Sequence, residues 1–212
     1  MSIPPANGLW QKAKTVSEKK LDPGKIAVFL DRDGTINEDS GYVSKPEEVI
    51  LIKGAVEAIR ALNSMGVPVI VITNQSGVGR GYFTEDRLKA VNTRFIELLN
   101  DGGARIDGLY YCVHLPDDNC GCRKPKAGLI TKAASDLGID PRLSYVIGDK
   151  ASDAGLARNA GAKAVLVLTG HGRKDVQTLL DAPDFVADDI VSAVEWVIED
   201  MKAGQNKGRT TL

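Results

Sequence analysis

The chain has 212 residues, enough for one sizeable hydrophobic core. Its 28 acidic and 27 basic residues nearly cancel, so nothing in the charge points to general nucleic-acid or membrane-surface binding. The N-terminal stretch has no apolar secretory core, and no apolar run approaches the ~18 residues of a membrane span, so a soluble cytoplasmic protein is expected.

Residues 1–24, with Pro4, Pro5, a lone Trp10 and several lysines, read as a loose extension, with a short helix from Leu9 to Lys19. Lys25 to Leu30 is the first strand. Asn37 to Glu48, polar and interrupted by Gly41 and Pro46, has room for a small hairpin but not for a domain. Ala55, Val56, Ile59 and Leu62 recur at helical spacing, and Gly66 ends that helix. Val67 to Thr73 is an almost unbroken apolar run, as expected of a strand buried on both faces. Thr84 can cap a helix with Glu85 and Asp86 in its first turn and a stripe of Leu88, Val91, Phe95, Leu98 and Leu99. Ile106 to Cys112 is a third strand. Leu129, Ile130, Ala133, Ala134 and Leu137 mark the next helix, stopped by Gly138. A strand from Leu143 to Ile147, a helix from Ala151 to Ala160 and a strand from Ala164 to Leu168 follow. Phe185 to Ala187 adds a short edge strand, and Ile190, Val194, Val197, Ile198 and Met201 form a last helix before a disordered tail at 204–212. Strands alternating with helices predict right-handed βαβ units in one α/β domain, residues 25–203, built as a three-layer parallel sheet.

The first strand runs into Asp31-Arg32-Asp33-Gly34-Thr35. With Asp31 at the strand end, the carboxylates of Asp31 and Asp33 lean the same way, into the space where open α/β sheets bind ligands. Two such charges ask for a cation, and Mg²⁺ fits, leaving one carboxylate as nucleophile and one as acid/base. Taken alone, Asp-Gly is ordinary turn chemistry; three later stretches weigh against that. Thr73-Asn74-Gln75-Ser76 at the end of the second strand offers a hydroxyl and amides to phosphate oxygens. The glycines of Gly77-Val78-Gly79-Arg80-Gly81 lack the spacing of a dinucleotide loop. Asp149, at the tip of the fourth strand, can be a third Mg²⁺ ligand, with Asp153 holding Lys150 or a metal-bound water; its bland alternative is a helix N-cap. Lys124 in Arg123-Lys124-Pro125-Lys126 can stabilise nucleophile and phosphoryl charge, although alone the stretch reads as a solvated basic turn.

Every cysteine of the chain falls within Cys112-Val113-His114 and Cys120-Gly121-Cys122, on either side of a five-residue loop. Three thiolates and an imidazole complete a tetrahedral Zn²⁺ site with no open position, which makes the metal structural.

With these stretches in hand the chain resembles the haloacid dehalogenase superfamily of phosphatases over about residues 25–190. Within it, Asp-x-Asp-Gly-Thr, Thr-Asn-Gln-Ser-Gly, Cys-x-His…Cys-x-Cys-Arg-Lys-Pro and Gly-Asp-Lys resemble the branch of heptose bisphosphate and histidinol phosphate phosphatases. The resemblance implies a Rossmann-like sheet without a large cap domain. It implies Asp31 as nucleophile through an aspartyl-phosphate and Asp33 as acid and then base. Mg²⁺ would be held by Asp31, the carbonyl of Asp33 and Asp149, with Thr73 and Lys124 on the phosphoryl oxygens. Asp39, Ser40, Gly41, Tyr42, Asn74, Gln75, Ser76, Arg80, Arg123 and Lys150 would line the substrate, and Cys112, His114, Cys120 and Cys122 would bind Zn²⁺. The expected partner is a small sugar phosphate, met by a monomer. The short loop between the zinc pairs, with His-Leu-Pro and Arg-Lys-Pro-Lys, looks like the histidinol branch. Residues 75–83, 107–112 and 167–170 look like the heptose branch, and Ser76 stands where the histidinol branch more often has Asp. The resemblance favours removal of the 7-phosphate of D-glycero-D-manno-heptose 1,7-bisphosphate, a step toward lipopolysaccharide core precursors, with histidinol phosphate as the alternative. A polynucleotide 3′-phosphatase should carry a basic groove, which the near-neutral composition opposes. A receiver-type signalling domain should carry its acceptor on the third strand and be shorter. A non-catalytic sugar-phosphate binder is the remaining reading.

Overall fold

The structure is a computed structural model, and it describes residues 25–179 and 181–209. The N-terminal extension and its short helix lie outside the described residues. Six parallel strands form one sheet in the order β3-β2-β1-β4-β5-β6: β1 Val28–Leu30, β2 Val69–Asn74, β3 Gly108–Cys112, β4 Tyr145–Gly148, β5 Lys163–Val167 and β6 Phe185–Ala187. The helices are α1 Ala55–Ser64, α2 Ser76–Gly79, α3 Glu85–Asp101, α4 Gly128–Leu137, α5 Ala151–Ala160, α6 Gly172–Asp175 and α7 Ile190–Arg209.

The period of two along each strand divides the core. Val28, Leu30, Val69, Val71, Leu109, Tyr111, Tyr145 and Ile147 face one side, against α1, α3 and α7. Phe29, Ile70, Ile72, Tyr110 and Val146 face the other, against Leu129, Ile130, Ala133 and Leu137 of α4 and Leu156 and Ala157 of α5. This is the three-layer arrangement the sequence predicts. Thr84 caps α3 by accepting the Arg87 N–H through its side chain. Gly138, at φ 68°, closes α4 in the left-handed conformation that favours glycine.

Several boundaries move. Lys25 makes only an isolated bridge to Ile139, so β1 begins at Val28. The hairpin expected between Asn37 and Glu48 is instead a loop with one antiparallel bridge, Asn37 to Leu51, and a single 3-10 turn at Pro46–Glu48. Pro46 supplies no N–H for a ladder. The last helix continues past Gly204, where a disordered tail was expected, to Arg209.

Strand order puts the functional ends together. From β1 the chain builds β2 and β3 on one side, then crosses back to place β4 on the other. The split between β1 and β4 is a topological switch point, where crossovers diverge and leave a crevice beyond the strand ends. Asp31 follows β1 there and Asp149 follows β4.

Phe95 is fully buried between α3 and the sheet. Phe95→Ala is expected to destabilise the fold by roughly 3–5 kcal/mol, measured by urea unfolding, because a ring-sized cavity in this half of the core cannot collapse fully. A loss under about 1 kcal/mol would mean that this face is loosely packed.

Candidate active site

A cavity of about 230 Å³ opens at the switch point. Asp31, Asp33, Thr73 and Lys124 line it, with Asp39, Gly41, Tyr42, Asn74, Gln75, Ser76, Arg123, Lys150 and Ser152. Two expected lining residues are elsewhere. Arg80 follows the end of α2 in an exposed turn. Ser40 is exposed because the Asp39 carboxylate takes the Gly41 N–H in a tight turn that leaves it outside. Asp149 lies just beneath the cavity and is fully buried.

Asp31 is held from two sides at one oxygen. Its Oδ1 accepts the Arg32 N–H at 2.7 Å and faces Lys124 Nζ at 2.8 Å. Lys124 Nζ also meets Asp153 Oδ1 at 2.7 Å and donates to the Ile72 carbonyl at 2.9 Å. Burial pulls the Lys124 ammonium toward neutrality, but the charges of Asp153 and Asp31 outweigh it and hold the proton more firmly than usual. The pairing of Asp153 differs from the sequence reading, which gave it Lys150 or a metal-bound water. Its side chain at the third position of α5 caps the Lys150 backbone N–H through Oδ2, which turns Oδ1 to Lys124.

Asp33 has a different environment. Its carboxylate accepts from Arg32 Nε and Nη2, from Asn37 Nδ2 at 2.9 Å and from Gln75 Nε2 at 2.7 Å. Burial pushes this carboxyl up, but the Arg32 guanidinium and the amide donors bring it below the usual carboxylate range. Gln75 Nε2 also donates to Thr73 Oγ1 at 2.8 Å, which leaves the Thr73 hydroxyl hydrogen to point elsewhere. Asn74 spans to the far loop, pairing with the Lys124 backbone N–H and carbonyl.

The second carboxylate cluster already contains a cation. Lys150 Nζ lies 3.0 Å from Asp39 Oδ2, 3.2 Å from the Asp33 carbonyl, 3.4 Å from Asp149 Oδ1 and 3.9 Å from Asp31 Oδ2. Two glycines shape this space. Gly34 and Gly170 both have positive φ, and a Cβ at either would collide with the Asp149 carboxylate. Asp149 Oδ2 accepts the His171 N–H, while burial first, and the Asp31 charge second, raise its carboxyl to about 7. Oxygens of Asp31, Asp149 and Asp153 all lie within 4.8 Å of one another, a donor set suited to a hard divalent ion.

A second cluster forms where β3 ends. Cys112 Sγ lies 3.5 Å from His114 Nδ1, 3.6 Å from Cys120 Sγ and 3.3 Å from Cys122 Sγ, and His114 Nδ1 lies 3.2 Å from Cys122 Sγ. A tetrahedron with metal–sulfur bonds near 2.3 Å has edges of about 3.7 Å, so the four atoms sit close to its corners. None of the three thiols is in a disulfide. The cluster folds the loop at Pro116–Asp118 into a 3-10 turn and sets Arg123, whose Nη1 donates to the His114 carbonyl, beside the cavity.

An aspartate pair at a parallel strand end, with a buried lysine from a distant loop beside it, fits a phosphohydrolase of the haloacid dehalogenase class. The HAD-hydrolase-like family model matches residues 121–193. The D-glycero-beta-D-manno-heptose-1,7-bisphosphate 7-phosphatase of Haemophilus ducreyi is 46% identical over 173 residues, covering 75% of this chain and 94% of that one. The enzyme of the same name from Escherichia coli is 38% identical over 188 residues, covering 84% and 97%. The crystal structure of D,D-heptose 1,7-bisphosphate phosphatase from B. bronchiseptica, complexed with magnesium and phosphate, superposes with a TM-score of 0.78 at 34% identity, covering 82% of this chain and 99% of that one. The chain belongs to the haloacid dehalogenase-like phosphatases, in the family of the heptose-1,7-bisphosphate 7-phosphatases.

Sequence reasoning missed Arg32, Asn37 and Asn92 around Asp33, and Gly170 and His171 around Asp149. Arg32 was in plain view inside the first motif. Asn92 carried a weak signal, an amide on the inner stripe of α3.

The raised Asp149 carboxyl has a pH consequence. Its folded value lies above the ordinary 3.8, so its contribution to stability is complete below that ordinary value and is lost as pH rises through about 7. In a chelator, melting temperature is expected to fall between about pH 4 and 7 and to level off above, and Asp149→Asn is expected to flatten that fall. An unchanged slope in the variant would remove Asp149 as its source.

Proposed function

We propose that the protein is a Mg²⁺-dependent phosphatase that removes the 7-phosphate of D-glycero-D-manno-heptose 1,7-bisphosphate through an aspartyl-phosphate. It would act as a cytoplasmic monomer supplying lipopolysaccharide core precursors. The observation that carries the chemistry is Asp31 between Lys124 and the Lys150 cluster, with Asp33 held beside it on the same cavity. No helix among the described residues is long and apolar enough to cross a membrane.

Asp31, fixed in orientation by its two donors on Oδ1, attacks phosphorus. The bond to the sugar oxygen breaks, and Asp33 gives that oxygen a proton. Arg32 stabilises the carboxylate left behind. Asp33 then takes a proton from water as the water attacks phosphorus, and the bond to Asp31 breaks. Thr73 and Lys124 face the transferring oxygens from the cavity wall. Asp31, Asp149 and the Asp33 carbonyl would hold Mg²⁺; the glycine cradle around Asp149 and the ammonium already seated among these oxygens support the fit. When bound, Mg²⁺ would neutralise charge developing on the phosphoryl group. The near-tetrahedral sulfur and nitrogen set of Cys112, His114, Cys120 and Cys122 supports a structural Zn²⁺ that braces Arg123 and Lys124.

Asp31→Asn is expected to abolish turnover while leaving the fold intact, because an amide cannot attack phosphorus; removing a nucleophile typically costs several orders of magnitude in kcat. A rate within about tenfold of wild type would take Asp31 out of the mechanism. Asp33→Asn should lose about 10²–10⁴-fold.

Cys120→Ser should lower melting temperature more than it changes chemistry, and elemental analysis should find zinc at one equivalent per chain in the wild type. Zinc-free protein with full activity and an unchanged melting curve would overturn the structural-metal reading.

The second phosphate of a bisphosphate needs cations, whereas histidinol phosphate brings its own ammonium. Arg123 lines the cavity beside Lys150, and its guanidinium suits bidentate contact with phosphate or hydroxyls. We expect kcat/KM for heptose 1,7-bisphosphate to exceed that for histidinol phosphate by at least ~10²-fold, about 2.7 kcal/mol. Arg123→Ala should erode most of that preference. Equal or reversed efficiencies would assign the protein to histidinol phosphate instead.

A further inference from the structure

Arg32 sits between the two aspartates of the first motif but is almost entirely buried, at 1% exposure. Its guanidinium forks onto Asp33, with Nε to Oδ1 at 3.1 Å and Nη2 to Oδ1 and Oδ2 at 2.9 Å each. The remaining nitrogen, Nη1, reaches 2.7 Å to Oδ1 of Asn92 on α3, 60 residues along the chain. Asn92 is fully buried, and its Nδ2 has no hydrogen-bond partner among the described residues. Its neighbours on the inner face of α3 are Leu88, Val91, Phe95 and Leu99.

An amide in that stripe is unfavourable in itself, since burying an unmet donor costs about 1–3 kcal/mol. The contact it makes is the acceptor bond to Arg32. We propose that Asn92 and Arg32 form a strut from α3 that aims the Asp33 carboxyl at the leaving-group oxygen, so that both are positioning residues for proton transfer. Asp33 follows β1 in a loop, and among the described residues this fork, Asn37 and Gln75 are the side chains that fix its direction. In the step concerned, the O–H bond of Asp33 breaks and its electron pair stays on the carboxylate. The proton joins the leaving oxygen as the P–O bond to that oxygen breaks and the bond to Asp31 forms. A carboxyl turned away from the leaving oxygen cannot make this transfer, whatever its charge. The alternative is that Asn92 and Arg32 merely tie α3 to the end of β1.

This inference rests on the phosphatase reading above. The test compares kcat/KM, which reports the steps up to departure of the leaving group, for two kinds of ester. One is heptose 1,7-bisphosphate or histidinol phosphate, whichever the wild type prefers; both lose a primary alkoxide that must be protonated. The other is p-nitrophenyl phosphate, whose phenolate leaves without a proton. Wild-type turnover of both tests the phosphatase reading, and the variants test the strut. Asn92→Leu, which removes the acceptor at similar volume, is expected to lower kcat/KM for the alkyl ester at least about tenfold more than for the aryl ester. Asn92→Asp keeps an acceptor oxygen for Arg32 Nη1, with a carboxyl in place of the amide, and is expected to restore the alkyl ester to within about threefold of wild type. If Asn92→Leu does not fold by circular dichroism, Arg32→Lys carries the same comparison, because one ammonium cannot hold Asn92 and both Asp33 oxygens at once. Equal losses on both esters, or no loss in a folded variant, would overturn the strut and leave Asn92 a structural tie.

Discussion

The site depends on one buried ammonium. Lys124 Nζ lies between Asp31 and Asp153, at 2.8 and 2.7 Å, with all three side chains at most 5% exposed. Removing such charges from water costs several kcal/mol each, and only close pairing with further hydrogen bonds offsets it. The pairing joins parts that are far apart in the chain: the end of β1, the first turn of α5, the Ile72 carbonyl in β2, and the loop that carries Lys124. The Asp31 carboxylate and the closure of the crevice therefore share one electrostatic support.

That support leaves an imbalance, which the second cluster meets in part. Around the switch point, the carboxylates of Asp31, Asp39, Asp149 and Asp153 face the ammonium groups of Lys124 and Lys150, while Asp33 is matched by Arg32. Four carboxylates against two ammonium groups suit a divalent cation, and after burial, the larger cause, the Asp31 charge adds to the upward shift at Asp149. Gly34 and Gly170 make the space by withholding side chains where any Cβ would meet the Asp149 carboxylate. Backbone conformation at two glycines thus serves the electrostatics of an aspartate on another strand.

The cysteine and histidine cluster belongs to the same design at longer range. It stands at the end of β3 and closes a loop whose Asn119 adopts a positive φ of 49°. Arg123 and Lys124 leave directly from it. Asn74 bonds both backbone groups of Lys124, and Gly79 packs so closely on the Val113 carbonyl that a side chain there would collide. A stiff base for this loop matters because its lysine must reach a buried carboxylate and its arginine must stay at the cavity wall.

The alternation of apolar strands with helical stripes was enough to determine the parallel three-layer sheet, because those periods follow from backbone geometry alone. Local motifs pointed to the candidate chemistry for a similar reason. Asp31 and Asp33, Asp149, Lys124 and the four zinc-type ligands are each identified by neighbours within a few positions. Tertiary structure decided the pairings. Asp153 met Lys124 rather than Lys150 because its other oxygen caps α5. Arg80 and Ser40 fell outside the cavity because short turns directed them to solvent. The continuation of α7 beyond Gly204 was likewise invisible in composition, since a polar stretch reads as tail until helix hydrogen bonds form. Most of all, only the fold could show that Arg32 reaches Asn92 on a helix 60 residues away. Spacing along a chain specifies which side chains share a face; it carries no information on which buried charge will meet which, because that is set by distances created when separate elements pack.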